Sequence, residues 1–137
     1  MKRVLSLLLL LGLLLSGCGE ASGSPEIDVD LTKMSATMVY SEVFNMLYTP
    51  EDYLGKTVKM DGNFTWYHDE DSGRYYYACI IQDATACCAQ GMEFVLAEEK
   101  PFEDYPAEGA FITVQGTFST YEENGYTFCT LRDAAMR

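Results

Sequence analysis

Thr57-Val58-Lys59-Met60-Asp61-Gly62-Asn63-Phe64-Thr65-Trp66-Tyr67 and Phe111-Ile112-Thr113-Val114-Gln115-Gly116-Thr117-Phe118-Ser119-Thr120-Tyr121 decide the fold. Each alternates with a period of two, the signature of a strand with one buried face. Val58, Met60, Phe64 and Trp66 share one face of the first stretch, and Lys59, Asp61, Asn63 and Thr65 the other. The second stretch repeats the pattern position by position, with Ile112, Val114, Gly116, Phe118 and Tyr121 answering Val58, Met60, Gly62, Phe64 and Tyr67. The segments that follow also match: Tyr76-x-x-Cys79-x-Ile81-Gln82-Asp83-Ala84 against Tyr126-x-x-Cys129-x-Leu131-Arg132-Asp133-Ala134. Gly62 and Gly116 stand mid-strand, where glycine is unfavourable unless the chain bulges or bends.

Working outward, Asp69–Gly73 reads as a turn. Arg74–Gln82 is a second strand, rich in aromatic and β-branched residues, and 91–97 a third. Residues 102–109 form an irregular link with one helical turn. Residues 111–121 are the fourth strand and 126–131 the fifth. Asn124-Gly125 joins these two, because both central positions of a type I′ turn need positive φ. Upstream, Met38, Val39, Val43, Met46 and Leu47 recur at helical spacing over 35–48, and Thr49-Pro50 stops the helix. Three strands, a link and two strands resemble the oligonucleotide/oligosaccharide-binding (OB) barrel. The expected fold is mainly β: a small five-stranded OB-like barrel preceded by one N-terminal helix.

The N-terminus carries an address. Lys2-Arg3, the apolar run Val4–Leu15 and then Leu15-Ser16-Gly17-Cys18 follow the order of a secretory signal. The run falls short of the ~20 residues that cross a bilayer. A cysteine directly behind the small residues resembles the lipobox of bacterial lipoproteins. The resemblance implies that residues 1–17 are a signal peptide that is removed, and that Cys18 is lipidated and becomes the first residue of the mature chain. Residues 18–30 (the lipidated cysteine and a small, polar, acidic stretch) then form a flexible tether, and 31–137 the helix-plus-barrel domain. A diacylglyceryl group supplies the two chains that stable anchoring takes. The expected location is the extracytoplasmic side of the cell membrane, lipid-anchored.

The formal net charge is −12, and loss of Lys2 and Arg3 makes the mature chain more negative still. Such a surface repels phosphate backbones and anionic headgroups. Nucleic acid is therefore excluded as a partner, and the domain is expected to stand off the membrane on its lipid. Cationic ligands, metal ions and basic protein surfaces suit the charge.

With Cys18 assigned to lipid, Cys79, Cys87, Cys88 and Cys129 remain. An even count outside the cytoplasm suggests disulfides, with Cys79 and Cys129 reaching the Cys87-Cys88 segment. Buried free thiols, and a soft metal or redox site holding zinc or copper, are the alternatives. Adjacent strand residues point to opposite faces, so Cys87 and Cys88 can share one ion only if their segment is a turn. Tyr53-Leu54-Gly55-Lys56, Cys87-Cys88 and Gly91-Met92-Glu93-Phe94 resemble a domain of unknown function found in small bacterial lipoproteins and at the end of a bacterial membrane-protein family. That resemblance implies an OB-like fold and no established activity.

Trp66, Tyr67, Tyr75, Tyr76 and Tyr77 surround one hairpin and are the ligand-face candidates, with Tyr75 and Tyr77 on one face and Tyr76 on the other. His68 and Asp69-Glu70-Asp71-Ser72-Gly73 read as a solvated turn. The position eleven after Asp69 is Ile80, so an EF-hand calcium loop lacks its closing glutamate. No Ser-His-Asp set, phosphate loop, His pair or Cys-x-x-Cys occurs. The function expected is a non-enzymatic binding or adaptor module whose ligand is a protein, glycan or small molecule. A metal-binding or thiol-redox lipoprotein using the four cysteines is the alternative.

Overall fold

The structure, a computed structural model, describes residues 26–137. The expected signal peptide, Cys18 and most of the expected tether lie outside the described residues. The elements are β1 (Val29–Asp30), α1 (Ala36–Tyr48), β2 (Thr57–Asp69), β3 (Arg74–Gln82), β4 (Ala89–Leu96), β5 (Phe111–Glu123) and β6 (Tyr126–Met136). Short 3-10 turns cover Leu31–Lys33, Pro50–Asp52 and Phe102–Asp104. The chain is mainly β, with all six strands in one sheet. No helix among the described residues is long and apolar enough to cross a membrane.

The sheet runs β1-β2-β3-β4-β6-β5, and a further pairing joins β5 back to β2. The five long strands therefore close a ring of hydrogen-bonded pairs, all antiparallel except β4–β6. β2 serves two partners in succession: Thr57–Asn63 pair with β5, and Asn63–Asp69 with β3. Register gives the repeat a spatial meaning. Val58 pairs with Gly116, Met60 with Val114 and Gly62 with Ile112. Met60 and Val114 are repeat equivalents, so the two halves meet about a local pseudo-two-fold axis between them.

The two mid-strand glycines sit where this closure is tightest. A Cβ on Gly62 would lie 2.5 Å from the Ile80 carbonyl oxygen and 2.7 Å from Cys79 Sγ. One on Gly116 would lie 2.9 Å from the Arg132 carbonyl oxygen. Opposite Gly116, β6 carries a bulge: Gln115 pairs with Ala135 and Thr117 with Arg132, which leaves Asp133 and Ala134 facing one residue, Asp133 at φ 50°. This bulge explains why β6 continues to Met136 when its alternation ends near Leu131. The hairpin turn at Asn124-Gly125 has positive φ at both positions, as expected.

A sixth strand was not expected. Val29–Asp30 pair in parallel with Val58–Lys59, on the edge of β2 opposite β5 and along the stretch that β3 does not reach. Asp28 clamps the junction: its N–H donates to the Thr57 carbonyl at 2.9 Å, and its carboxylate accepts from Thr57 N–H at 2.8 Å. The last residues of the expected tether thus belong to the sheet, and Val29 is buried.

The core lies inside the ring, built from Val58, Met60, Phe64, Phe94, Val114 and Phe118, with Met92 and Leu131 beside them. Helix α1 packs on it through Val39, Val43 and Met46, one stripe at i, i+4 and i+7. Met38 and Leu47, expected on that stripe, are 58% and 39% exposed. At 3.6 residues per turn Met38 lies roughly 105° and Leu47 roughly 75° off its centre, and the helix touches the sheet along a narrow edge.

Gly62→Ala is expected to destabilise the chain by about 3 kcal/mol, at the upper end of overpacking costs, because backbone rather than a mobile side chain blocks the methyl. Urea unfolding of the variant beside wild type measures this, and an unchanged midpoint would contradict the close approach.

Candidate functional site

The β2–β3 and β5–β6 hairpin tips approach one another, with Arg74 of one ion-paired to Glu123 of the other. Between them lies an open cleft of about 750 Å³ lined by Tyr67, Asp69, Asp71, Ser72, Tyr76, Glu93, Tyr121, Glu123, Asn124 and Phe128. Alternation puts Tyr67, Tyr76 and Tyr121 on the outer face, opposite the core residues of the same strands. Tyr121 Oη donates to Glu93 Oε2 at 2.6 Å. Tyr76 Oη lies 3.0 and 2.9 Å from the two Glu123 oxygens, and Arg74 Nη1 donates to Glu123 Oε1 at 2.8 Å. Asp69 folds back on its own turn, accepting from Asp71 N–H at 3.0 Å and Ser72 Oγ at 2.6 Å.

These contacts set the electrostatics. Burial raises Glu93 above the usual glutamate value of 4.5, with the Tyr121 hydrogen bond opposing. Burial and the Glu93 partner raise Tyr121 in turn. Tyr76 is raised by burial and by Glu123. Asp69 is lowered, chiefly by the Ser72 hydroxyl. Three of the cleft's carboxylates, Asp69, Glu93 and Glu123, are therefore held in fixed positions by their hydrogen-bonding partners.

The five aromatic candidates divide between two places. Tyr67 and Tyr76 line the cleft, their rings 6.3 Å apart. Trp66, Tyr75 and Tyr77 lie on the opposite side of β2 and β3, beneath the link. Trp66 and Tyr75 pack against Phe102 at 5.0 and 4.6 Å, and Tyr77 stacks on Tyr105 at 3.9 Å. That ladder runs into the core through Phe64. His68 stacks on Tyr75 at 4.3 Å.

The expected disulfides are not formed: Cys79, Cys87, Cys88 and Cys129 are free thiols. Geometry separates them. Cys79 is mid-β3, buried against Gly62, and burial pushes its thiol up to about 12. Cys87 and Cys88 lie beyond the end of β3. Gln82, the strand's last residue, is already three residues or roughly 10 Å from Cys79. Cys129 faces α1, its Sγ 4.0 Å from the Met46 carbonyl.

The Cys87-Cys88 segment is a turn, closed by Asp83 N–H donating to the Cys88 carbonyl at 3.0 Å. Both thiols consequently fall on one side, their sulfurs 3.6 Å apart, with Cys87 Sγ 3.2 Å from Asp83 Oδ2. Among the described residues this group has the composition and spacing to hold a metal ion.

Glu93, Glu123, Tyr121, Phe128 and Asp83 did not emerge as site residues from the sequence. Tyr121 had a signal, since the repeat aligns it with Tyr67 across the cleft. The acidic residues had none, because charges at turns and strand ends are ordinary.

No protein-family model, curated protein or solved structure matches the chain.

The raised Glu93 value has a definite sign. A carboxyl whose folded value lies above its unfolded one contributes stability below the unfolded value, and that contribution is lost as pH rises through the folded value. Glu93→Gln keeps an acceptor for Tyr121 without the charge. The variant is expected to be more stable than wild type at pH 7, with the gap closing as pH falls towards and below 4.5. Thermal melts across that range test this, and a gap that does not change with pH would count against a desolvated carboxylate.

Proposed function

We propose that this chain is a membrane-anchored, extracytoplasmic, non-catalytic binding module that holds an organic cation, a primary or quaternary amine, between its hairpin tips. One observation carries the reading: the cleft brings together four carboxylates (Asp69, Asp71, Glu93 and Glu123) and four aromatic rings (Tyr67, Tyr76, Tyr121 and Phe128), against one bordering cation, Arg74, which pairs with Glu123 and lies over the Tyr76 ring. Aromatic faces attract cations through their quadrupoles, more strongly when solvent is excluded. Carboxylates fixed by hydrogen bonds complement an ammonium without reorganising.

The OB-like barrel is the reading of the fold that goes with it. Counted over the five long strands, the ring has the order 1-2-3-5-4-1 with a parallel third–fifth pair. Barrels of that kind bind ligands on the face of strands two and three, between the loops of the first and last hairpins. Tyr76, Glu93 and the turns at Asp71 and Asn124 supply those elements here. The acidic lining favours an amine over the nucleic acids that OB barrels often take. Anchoring rests on the lipobox at Cys18 and on the small, polar stretch behind it.

Isothermal titration with cadaverine and choline, against an uncharged isostere of choline, tests the reading. Both cations are expected to bind and the isostere not. Glu123→Gln is expected to weaken cation binding about tenfold, in line with the loss of one charge-assisted contact. Equal affinity for the uncharged isostere, or no heat with either cation, would remove the proposal.

A further inference from the structure

At the far end of β3 from the cleft, roughly 26 Å along the strand, the β3–β4 turn arranges Asp83, Cys87 and Cys88 as a three-ligand set. Asp83 Oδ1 accepts from the backbone N–H of Cys87 at 2.9 Å and of Thr85 at 3.2 Å. These bonds pin one oxygen and turn the other, Oδ2, to the Cys87 thiol, where it also accepts from the Thr85 hydroxyl at 3.1 Å. Ala86, at φ 56°, gives the chain the reversal that brings both sulfurs to the same side. A strand would have sent them apart.

We propose that Asp83, Cys87 and Cys88 form a binding site for a borderline divalent metal ion of the zinc class. The spacing fits tetrahedral coordination. With Zn–S bonds of ~2.3 Å and a Zn–O bond of ~2.0 Å, two sulfurs sit roughly 3.8 Å apart, and a sulfur and an oxygen roughly 3.5 Å. The observed separations are 3.6 Å and 3.2 Å, so a few tenths of an ångström of expansion in an exposed turn admits the ion. A linear two-sulfur ion such as Cu(I) would hold the sulfurs about 4.6 Å apart at the same bond length, and it has no use for a hard carboxylate ligand.

A second observation lies two residues beyond Cys88, at the start of β4. Gln90 Oε1 is buried without a hydrogen-bond partner, a rare condition for a polar atom. Tyr40, from α1, lies close to the trio and to Gln90. Three protein ligands leave a fourth position, and an unpartnered acceptor next to a phenol is what an ion's water ligand would bond to. The inference is independent of the amine cleft, which shares no residue with this turn.

The full chain, reduced and freed of metal, is titrated first with Co²⁺ as a spectroscopic stand-in and then with Zn²⁺ against a chromophoric chelator. One equivalent of Co²⁺ is expected to give a sulfur-to-cobalt charge-transfer band and the intense visible bands of a tetrahedral site, which Zn²⁺ then abolishes. Asp83→Asn is expected to lower zinc affinity at least tenfold, and the Cys87→Ser/Cys88→Ser double variant to abolish the charge-transfer band. Cys129→Ser should leave both unchanged. Asp83, Cys87 and Cys88 lie outside the core and Cys129 is half-buried against it, and thermal melts establish that each variant is folded. Absence of the charge-transfer band in the wild type, or its survival in the double variant, would overturn the site.

Discussion

The pairing of β2 with β5 is the constraint on which the rest of the molecule depends. Without it the chain holds two hairpins joined through β4, with edges open and apolar faces in water. With it, Met60 and Val114 meet at the centre of a pseudo-symmetric contact, and the two hairpin tips converge on one cleft. A ring this small brings backbones together at van der Waals limits, where a methyl group on Gly62 has no room. Sheet closure also removes the exposed edges that make isolated hairpins prone to pair with other chains.

Much of this was written in the alternation of two stretches. Period two placed β2, β3, β5 and the hairpin turn at Asn124-Gly125 because each buries one face against a single core. The helix was legible from Val39, Val43 and Met46, although Met38 and Leu47 widened its stripe beyond what the narrow contact uses. β1 left no periodic signal, since two residues cannot show one; a clamp between Asp28 and Thr57 holds it. The extra length of β6 was hidden by the bulge at Asp133, which breaks alternation without ending the strand.

The sites were legible to a lesser degree, for a physical reason. Aromatics on a strand announce that they cover something, but not whether it is a neighbour or a ligand. Trp66, Tyr75 and Tyr77 pack against Phe102 and Tyr105 of the link, and Tyr67 and Tyr76 face the cleft, while Tyr75, Tyr76 and Tyr77 also line a second cavity of about 310 Å³. Similarly, Cys87-Cys88 read as a chelating pair only on condition that the segment turned. Asp83 meets that condition by bonding back to the residues after it, a local device that sequence spacing does not reveal. The two ends of β3 thus carry separate chemistries, carboxylates and aromatic rings at one, thiols and a single fixed carboxylate at the other.

Closure of the ring is the claim beneath both, and backbone NOEs between β2 and β5 in the folded chain test it most directly. The account predicts cross-strand contacts centred on Met60–Val114 and flanked by Val58–Gly116 and Gly62–Ile112. Intact contacts within each hairpin with none between β2 and β5 would mean an open sheet, and would contradict it.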